Sequence, residues 1–352
     1  MRILVTGVGG PTPRSFSIAL KKYSFYKRFE LFATDINPLS IGLYQTDLFI
    51  NSFIVPRCTD ADYWGVINKI INENKIEFAV VLPELEVIEW SKRKAEGKLP
   101  CKVLLPDVDL AELLVDKEKM TNMLMELKIV PPSVGFERGE KNFDKIASAL
   151  GYPYWVRSTM GTSGLGSLKV ENEAALKNWI QINPGVKQFL ASKFLSGRNL
   201  ACKLLYFDGQ LLRSACAERV NYIMAKVAPS GITGNTSFGR LLNEPHLVDI
   251  SIKGMDYLFA HTNSRKHGFF TVDFKEDENG KPFITEINVR HVAFTQCFAA
   301  CGANFAEDTI RLLDEDLTFD KTFKIYAFEE GQIFLRDVDS IPVLMNEKDL
   351  SK

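Results

Sequence analysis

Glu286, Asn288 and Arg290 stand at i, i+2 and i+4 near the end of an apolar segment. In an extended strand alternate side chains share a face, so all three are expected to project together. Asp273 lies on the preceding strand, Phe269–Phe274, and the polar turn Glu276–Lys281 folds the two segments against each other. Two carboxylates and an amide oxygen are hard ligands, of the kind that hold Mg²⁺ beside phosphate oxygens. A solvated sheet face would carry the same residues. Here Ile284, Ile287, Val289 and Phe294 flank them, which argues for a buried setting.

A second set is built for anions. Arg157 leads into Gly161-Thr162-Ser163-Gly164-Leu165-Gly166. Glycines let backbone N–H groups approach a phosphate closely, the two hydroxyls add donors, and a planar guanidinium can clamp phosphate oxygens. A flexible hairpin tip is the alternative for such a loop. Lys117 follows Asp116 in a helical stretch, where most lysines are simply solvated. Glu84 and Glu86 follow the apolar run Phe78–Leu82, at the strand end where open α/β sheets place ligands, and either could meet a substrate amine.

The elements that must position these groups fall into three blocks. Strands at Arg2–Thr6, Leu31–Thr34, Phe78–Leu82 and Val103–Leu105 alternate with helical spacing at Phe16–Lys22 and Trp64–Asn72, which predicts a parallel sheet. One helix is expected over Leu110–Leu127, stopped by Pro131-Pro132, and another over Phe143–Leu150, ended by Gly151. Tyr154–Arg157 and Ser167–Val170 then read as a hairpin around the glycine loop. Ala174–Trp179 is helical, and Phe189–Leu195 and Leu200–Phe207 are strands before the turn Asp208-Gly209. Residues 229–239, rich in Gly, Ser and Thr, suggest a mobile lid. Helices are expected over His246–Ala260 and Ala299–Leu313, the second interrupted by Gly302, and the tail after Thr318 alternates loosely and is expected to end in a charged, frayed terminus.

The 352 residues are 46% hydrophobic and 25% charged with a net charge of -1, an ordinary globular composition that gives no reason to expect nucleic acid or membrane as a partner. No apolar run approaches the roughly 20 residues that span a bilayer, and none has the form of a signal-peptide core, so a cytoplasmic protein is expected. The six cysteines lack zinc-site spacing and are expected as free thiols.

Taken in order, Asp116-Lys117, Tyr152–Arg157 with its glycine loop, Ser192-Lys193-Phe194-Leu195-Ser196-Gly197-Arg198, Asp273 and Glu286-Ile-Asn-Val-Arg290 resemble the ATP-grasp superfamily. Arg157, where many members have lysine, together with Arg2–Gly10 and Thr34–Pro38, is similar to the large chain of carbamoyl-phosphate synthase and its single-module relatives. The resemblance spans roughly residues 1–315. It implies a mixed α/β and α+β fold: a Rossmann-like pre-ATP-grasp domain (1–106), then a two-lobed ATP-grasp fold. The small lobe would be 107–188, the large lobe 189–318, and the tail 319–352 would pack on the core.

It also implies roles. Lys117 and Arg157 would contact ATP phosphates, and Gly161, Thr162, Ser163, Gly164 and Gly166 would close over them. Lys193, Phe194 and Leu195 would meet the adenine, with Asn199 near the ribose. Asp273, Glu286 and Asn288 would hold Mg²⁺ or Mn²⁺. Arg290, with Arg157, would serve the transferred phosphoryl group and the substrate carboxylate. Ser192-Lys193 stand where an acid is common, Asn199 where a ribose-binding glutamate is frequent, Asp273 where glutamate is usual, and Val289 where proline is usual. The implied activity is an ATP-dependent carboxylate–amine ligase working through an acyl phosphate. Its partners would be a small acid and an amine, with a homodimer as the assembly to test.

Two rivals compete with this reading. A decayed fold of this kind could bind nucleotide as a sensor or scaffold without turnover. Gly7-Val8-Gly9-Gly10 with Asp35 imitates a nicotinamide-dinucleotide fingerprint, although Pro11 and Pro13 are expected to disturb the helix start it needs.

Overall fold

The computed structural model describes residues 1–140, 143–161, 166–337 and 343–349. The chain begins with β1 (Arg2–Thr6), α1 (Pro11–Tyr23), β2 (Glu30–Asp35), β3 (Asn51–Ile54), α2 (Tyr63–Glu73), β4 (Phe78–Val80), α3 (Glu84–Ala95) and β5 (Lys102–Val103). The five strands form a parallel sheet in the order β3-β2-β1-β4-β5. β1 explains why such strands are continuously apolar. Leu4 packs into one core while Ile3 and Val5 pack into the other. α2 buries Tyr63, Ile67, Ile70 and Ile71, as its helical spacing requires.

α1 starts at Pro11, the first helical position. That position needs no backbone N–H and suits the fixed φ of proline. The expectation that the prolines disturb the helix start is therefore corrected: they begin it. The turn before it is tightly closed. Gly7 has φ +68°, and a Cβ there would lie 2.4 Å from Pro83 Cγ.

The expected single helix over Leu110–Leu127 is two, α4 (Val108–Val115) and α5 (Lys117–Leu124). Asp116 has extended backbone, and its side chain accepts from the N–H groups of Glu118 and Lys119. It is an N-cap in mid-segment, which a helical spacing of apolar residues does not reveal. Next come β6 (Ser133–Glu137), α6 (Asp144–Leu150), β7 (Tyr154–Ser158), β8 (Leu168–Val170), α7 (Glu173–Ile182) and β9 (Gln188–Lys193). These strands make an antiparallel sheet in the order β6-β9-β7-β8. Ala191 and Ser192 pair with both β6 and β7, so β9 is the central strand between them.

The remaining elements are β10 (Asn199–Phe207), β11 (Gln210–Tyr222), β12 (Thr236–Leu242), α8 (Pro245–His261), β13 (Gly268–Glu276), β14 (Pro282–Asn288), α9 (Thr295–Ala300), α10 (Phe305–Leu313), β15 (Lys324–Ile325), β16 (Gln332–Leu335) and β17 (Val343–Asn346). They form one large sheet, β14-β13-β10-β11-β12-β16-β17, with β15 beside β11. The tail contributes β15, β16 and β17 to this sheet, and the end of the charged terminus lies outside the described residues. Gly302 separates α9 from α10 as expected, and the six cysteines are free thiols. Among the described residues no helix is long and apolar enough to cross a membrane.

Gly7→Ala is expected to cost about 2–4 kcal/mol, from left-handed backbone in an L-residue plus the clash with Pro83. Gly65→Ala, in α2 with nothing within 4 Å of its Cβ, is the control and should gain up to about 1 kcal/mol. Urea unfolding of both variants measures this, and equal midpoints would refute the tight turn.

Candidate functional site

The two carboxylates of the site are brought together by strand register. Asp273 on β13 lies directly opposite Glu286 on β14, and Thr271 opposite Asn288. The register shifts just beyond Asp273, leaving Thr285 as the extra residue of a bulge. Bulges re-aim side chains next to functional sites. Here the bulge presents the Thr285 carbonyl to Arg157 Nη2, and Thr285 Oγ1 donates to the Asp273 carbonyl (3.2 Å). β14 ends at Asn288.

Above the carboxylates sit two cations from other parts of the chain. Lys117, at the start of α5, is buried, and its Nζ lies 3.2 Å from Glu286 Oε1. The same ammonium donates to the Gly161 carbonyl (2.7 Å), and the Lys117 N–H donates to Thr159 O (3.0 Å). Arg157 reaches over from β7. Burial works against the ionised form of Glu286, yet Lys117 and then Arg157 outweigh it and hold the carboxyl below the usual range. Asp273 goes the other way: burial raises it, opposed by Arg219, whose Nη1 lies 3.2 Å from Asp273 Oδ2.

These groups line a cleft of about 440 Å³ between the small and large sheets. Lys117, Arg157, Gly161, Lys193, Phe194, Leu195, Asn199, Asp273 and Glu286 all face it. Lys193 donates its N–H to Pro132 O (2.9 Å). The segment from β9 to β10 closes one end, and Ser230, Gly231 and Ile232 of the expected lid form part of another wall. That lid spans fewer residues than expected, because Thr236–Leu242 is β12. Thr162, Ser163 and Gly164 lie outside the described residues. Gly166 stands at the loop's far base, where its carbonyl accepts from Trp179 Nε1 (2.9 Å).

Asn288 sits behind the cleft and donates from Nδ2 to Asp273 Oδ2 (3.2 Å), which leaves its amide oxygen as an acceptor. Asp273 Oδ1 is buried without a hydrogen-bond partner. An orphaned carboxylate oxygen beside an amide oxygen and Glu286 suits a hard divalent cation. Among the described residues no three His, Cys, Asp or Glu side chains cluster as a metal site, so a cation here would complete its shell with phosphate or water oxygens.

Arg290 is near enough to Glu286 for its charge to favour the ionised carboxylate. It lies past the end of β14, so the i, i+4 face relation does not reach it. Its Nη2 bonds Glu84 Oε1 (2.9 Å) instead, and Nη1 bonds His291 O (3.1 Å). The two groups expected to receive the substrate's opposite ends thus hold each other. Glu86 is buried, and burial pushes its carboxyl up to about 7.

Arg219 and Lys275 line the cleft but were not anticipated. The available signal for Arg219 was a charged pair, Glu218-Arg219, following the short apolar run Ala215–Ala217. Lys275 pairs across strands with Asn199, so its register partner marked it.

The dinucleotide reading fails on hydrogen bonds. Gly7 and Val8 donate to Thr34 O, Gly9 to Asp35 Oδ2 (2.7 Å), and Gly10 to Gly7 O. Asp35 Oδ1 accepts from Asn37 N (2.9 Å). The turn has spent its donors internally, and the acid that should bind a ribose is spent on the turn.

No family model matches the chain. Over 120 residues, 34% of the chain, it is 28% identical to the carbamoyl phosphate synthase large chain of Methanoculleus marisnigri, and it spans only 11% of that relative. Among solved structures, N5-carboxyaminoimidazole synthetase from Staphylococcus aureus complexed with ADP superposes over 95% of this chain and 81% of its own, with TM-score 0.69 and 15% identity. The biotin carboxylase domain dimer of Hydrogenobacter thermophilus 2-oxoglutarate carboxylase, in complex with MgADP, ADP and bicarbonate, superposes over 95% of this chain and 74% of its own. There the TM-score is 0.66 and the identity 15%. The protein therefore has the ATP-grasp fold, with a parallel N-terminal sheet preceding two antiparallel lobes.

Lys117→Met should raise the Glu286 pKa and cost about 1–3 kcal/mol at pH 7, since a carboxylate loses its partner at a partly exposed site. Because the folded Glu286 value is lowered, its stabilisation is complete above the ordinary value of 4.5 and is lost as pH falls through the folded value. Denaturant unfolding at pH 7 and pH 4 checks this: the gap between wild type and variant should narrow at the lower pH. An unchanged gap would contradict it.

Proposed function

We propose, on the premise of an ATP-grasp fold, that the protein is an ATP-dependent carboxylate–amine ligase that works through an acyl phosphate. The observation that carries this reading is the convergence of Lys117, Arg157, Asp273 and Glu286 across one cleft closed at its far end by the Lys193–Leu195 segment. Opposed cations and carboxylates around a volume of this size match the charge pattern of a metal-bound triphosphate.

In this reading the Lys193–Leu195 backbone meets the base. Lys117 and Arg157 neutralise phosphate oxygens, and the Gly161 loop covers them. Asp273, Glu286 and Asn288 hold Mg²⁺ or Mn²⁺, which supplies charge neutralisation on the phosphates. The substrate carboxylate attacks the γ-phosphorus and ADP leaves. The amine then attacks the acyl carbon, phosphate departs, and the amine loses its proton. A carboxylate alone offers only oxide as leaving group, which is why phosphorylation comes first. The fixed cations act by positioning and by stabilising charge as it develops. Arg290 meets a substrate carboxylate only by exchanging its ion pair with Glu84.

The sensor reading has one observation in its favour: Asn199, paired with Lys275 across strands, lines the cleft where a ribose-binding glutamate is frequent. One assay separates the two. With Mg-ATP, hydroxylamine and a panel of acids, a ligase yields a hydroxamate and ADP, and Glu286→Gln should lower ADP release by about 10²–10³-fold. Tight Mg-ATP binding with no acid-dependent ADP release across the panel would establish the sensor instead.

A further inference from the structure

The cations deepest in the cleft are already engaged by protein groups. Lys117 faces Glu286 (3.2 Å), Arg219 faces Asp273 (3.2 Å), and Arg157 donates to the Thr285 carbonyl. Lys275 lines the same cleft and differs from them. It is half-buried, and among the described residues its ammonium has no hydrogen-bond partner and no carboxylate within ion-pair distance. The adjacent acid, Glu276, is spent elsewhere. Neighbouring residues of a strand face opposite ways, and both carboxylate oxygens of Glu276 hold Arg198 (2.7 and 2.9 Å). A partly desolvated ammonium without a counter-charge is costly, and a bound anion removes that cost.

The place of Lys275 along β13 says which anion. It stands two residues beyond Asp273, so the two side chains leave the same face of the strand, about 7 Å apart at their bases. Directly across from it on β10 stands Asn199, the first residue of that strand, which follows closely on the Lys193–Leu195 segment. Lys275 therefore lies on the side of Asp273 towards that segment. In the nucleotide reading the base meets Lys193–Leu195 and the outer phosphates meet the metal at Asp273 and Glu286. The α-phosphate, next to the sugar, then passes the Lys275 ammonium.

We propose that Lys275 is a specificity-determining residue of the nucleotide site: its ammonium holds the α-phosphate directly and selects phosphorylated nucleosides over free nucleosides. The contact is a charge-assisted hydrogen bond to a phosphate oxygen and needs no divalent cation. This inference rests on the reading of the cleft as a nucleotide site.

The experiment measures AMP and adenosine binding to the full chain by calorimetry in EDTA, so that no metal contributes. The wild type should bind AMP about tenfold or more tighter than adenosine, the size of one hydrogen bond to a charged group. Lys275→Met should bring AMP down to the level of adenosine and leave adenosine unchanged. Lys275→Arg should keep most of the preference. Circular dichroism reports that both variants are folded. Three results overturn the proposal: no AMP preference in the wild type, a preference that survives in Lys275→Met, or an equal loss of both ligands in a folded Lys275→Met. Failure of the wild type to bind AMP-PNP with Mg²⁺ would instead sink the nucleotide reading, so the two failures are separable.

Discussion

The ammonium of Lys117 ties three separate parts of the chain together: its own helix, the base of the glycine loop through Gly161 O, and the large sheet through Glu286. A buried lysine needs each of those partners, because an unpaired charge in such a place costs several kcal/mol. The arrangement of the lobes around the cleft follows from that requirement. So does the break in the helix: Asp116 must leave helical geometry to cap α5, and capping aims Lys117 inward. In the proposed reading, the cations that steady the cleft are the ones a triphosphate would use. Binding would therefore exchange one set of counter-charges for another without exposing bare charge.

The legible parts of this protein were those carried by local pattern. The β–α alternation of the first hundred residues gave the parallel sheet because each strand is covered on both faces and reads as an unbroken apolar run. The pairing of Asp273 with Glu286 was legible because a hairpin turn and a two-residue period leave little freedom. The side-chain contacts of Arg290 were not legible, since the two-residue period holds only while the strand lasts and β14 ends at Asn288. β3 was missed because Asn51-Ser52-Phe53-Ile54 at a sheet edge is half exposed and weakly apolar. The Asp116 break was hidden because a cap acts through hydrogen bonds rather than hydrophobicity.

The least legible features were long-range. Arg219 and Arg336 are far apart in sequence and both bond Thr236. Nothing in either segment announces the other, since side chain–backbone bonds between distant strands depend on sheet order. Likewise Gly9 and Asp35 imitate a nucleotide fingerprint by residue type alone, while their hydrogen bonds give them a different part. Once the donors of the turn are assigned, the same residues become a brace between β1 and β2.

The large sheet is completed from the C-terminal side: β16 lies against β12, and Arg336 N donates to Ser237 O beyond their last pair. Without the stretch from Gln332 onward, β12 would offer its N–H and C=O groups along an open, partly apolar border. Such borders template pairing with other molecules. A shortened version of this chain would thus lose more than a tail. It would acquire a surface that recruits further strands, and self-association in such preparations would report the missing cover rather than a natural assembly.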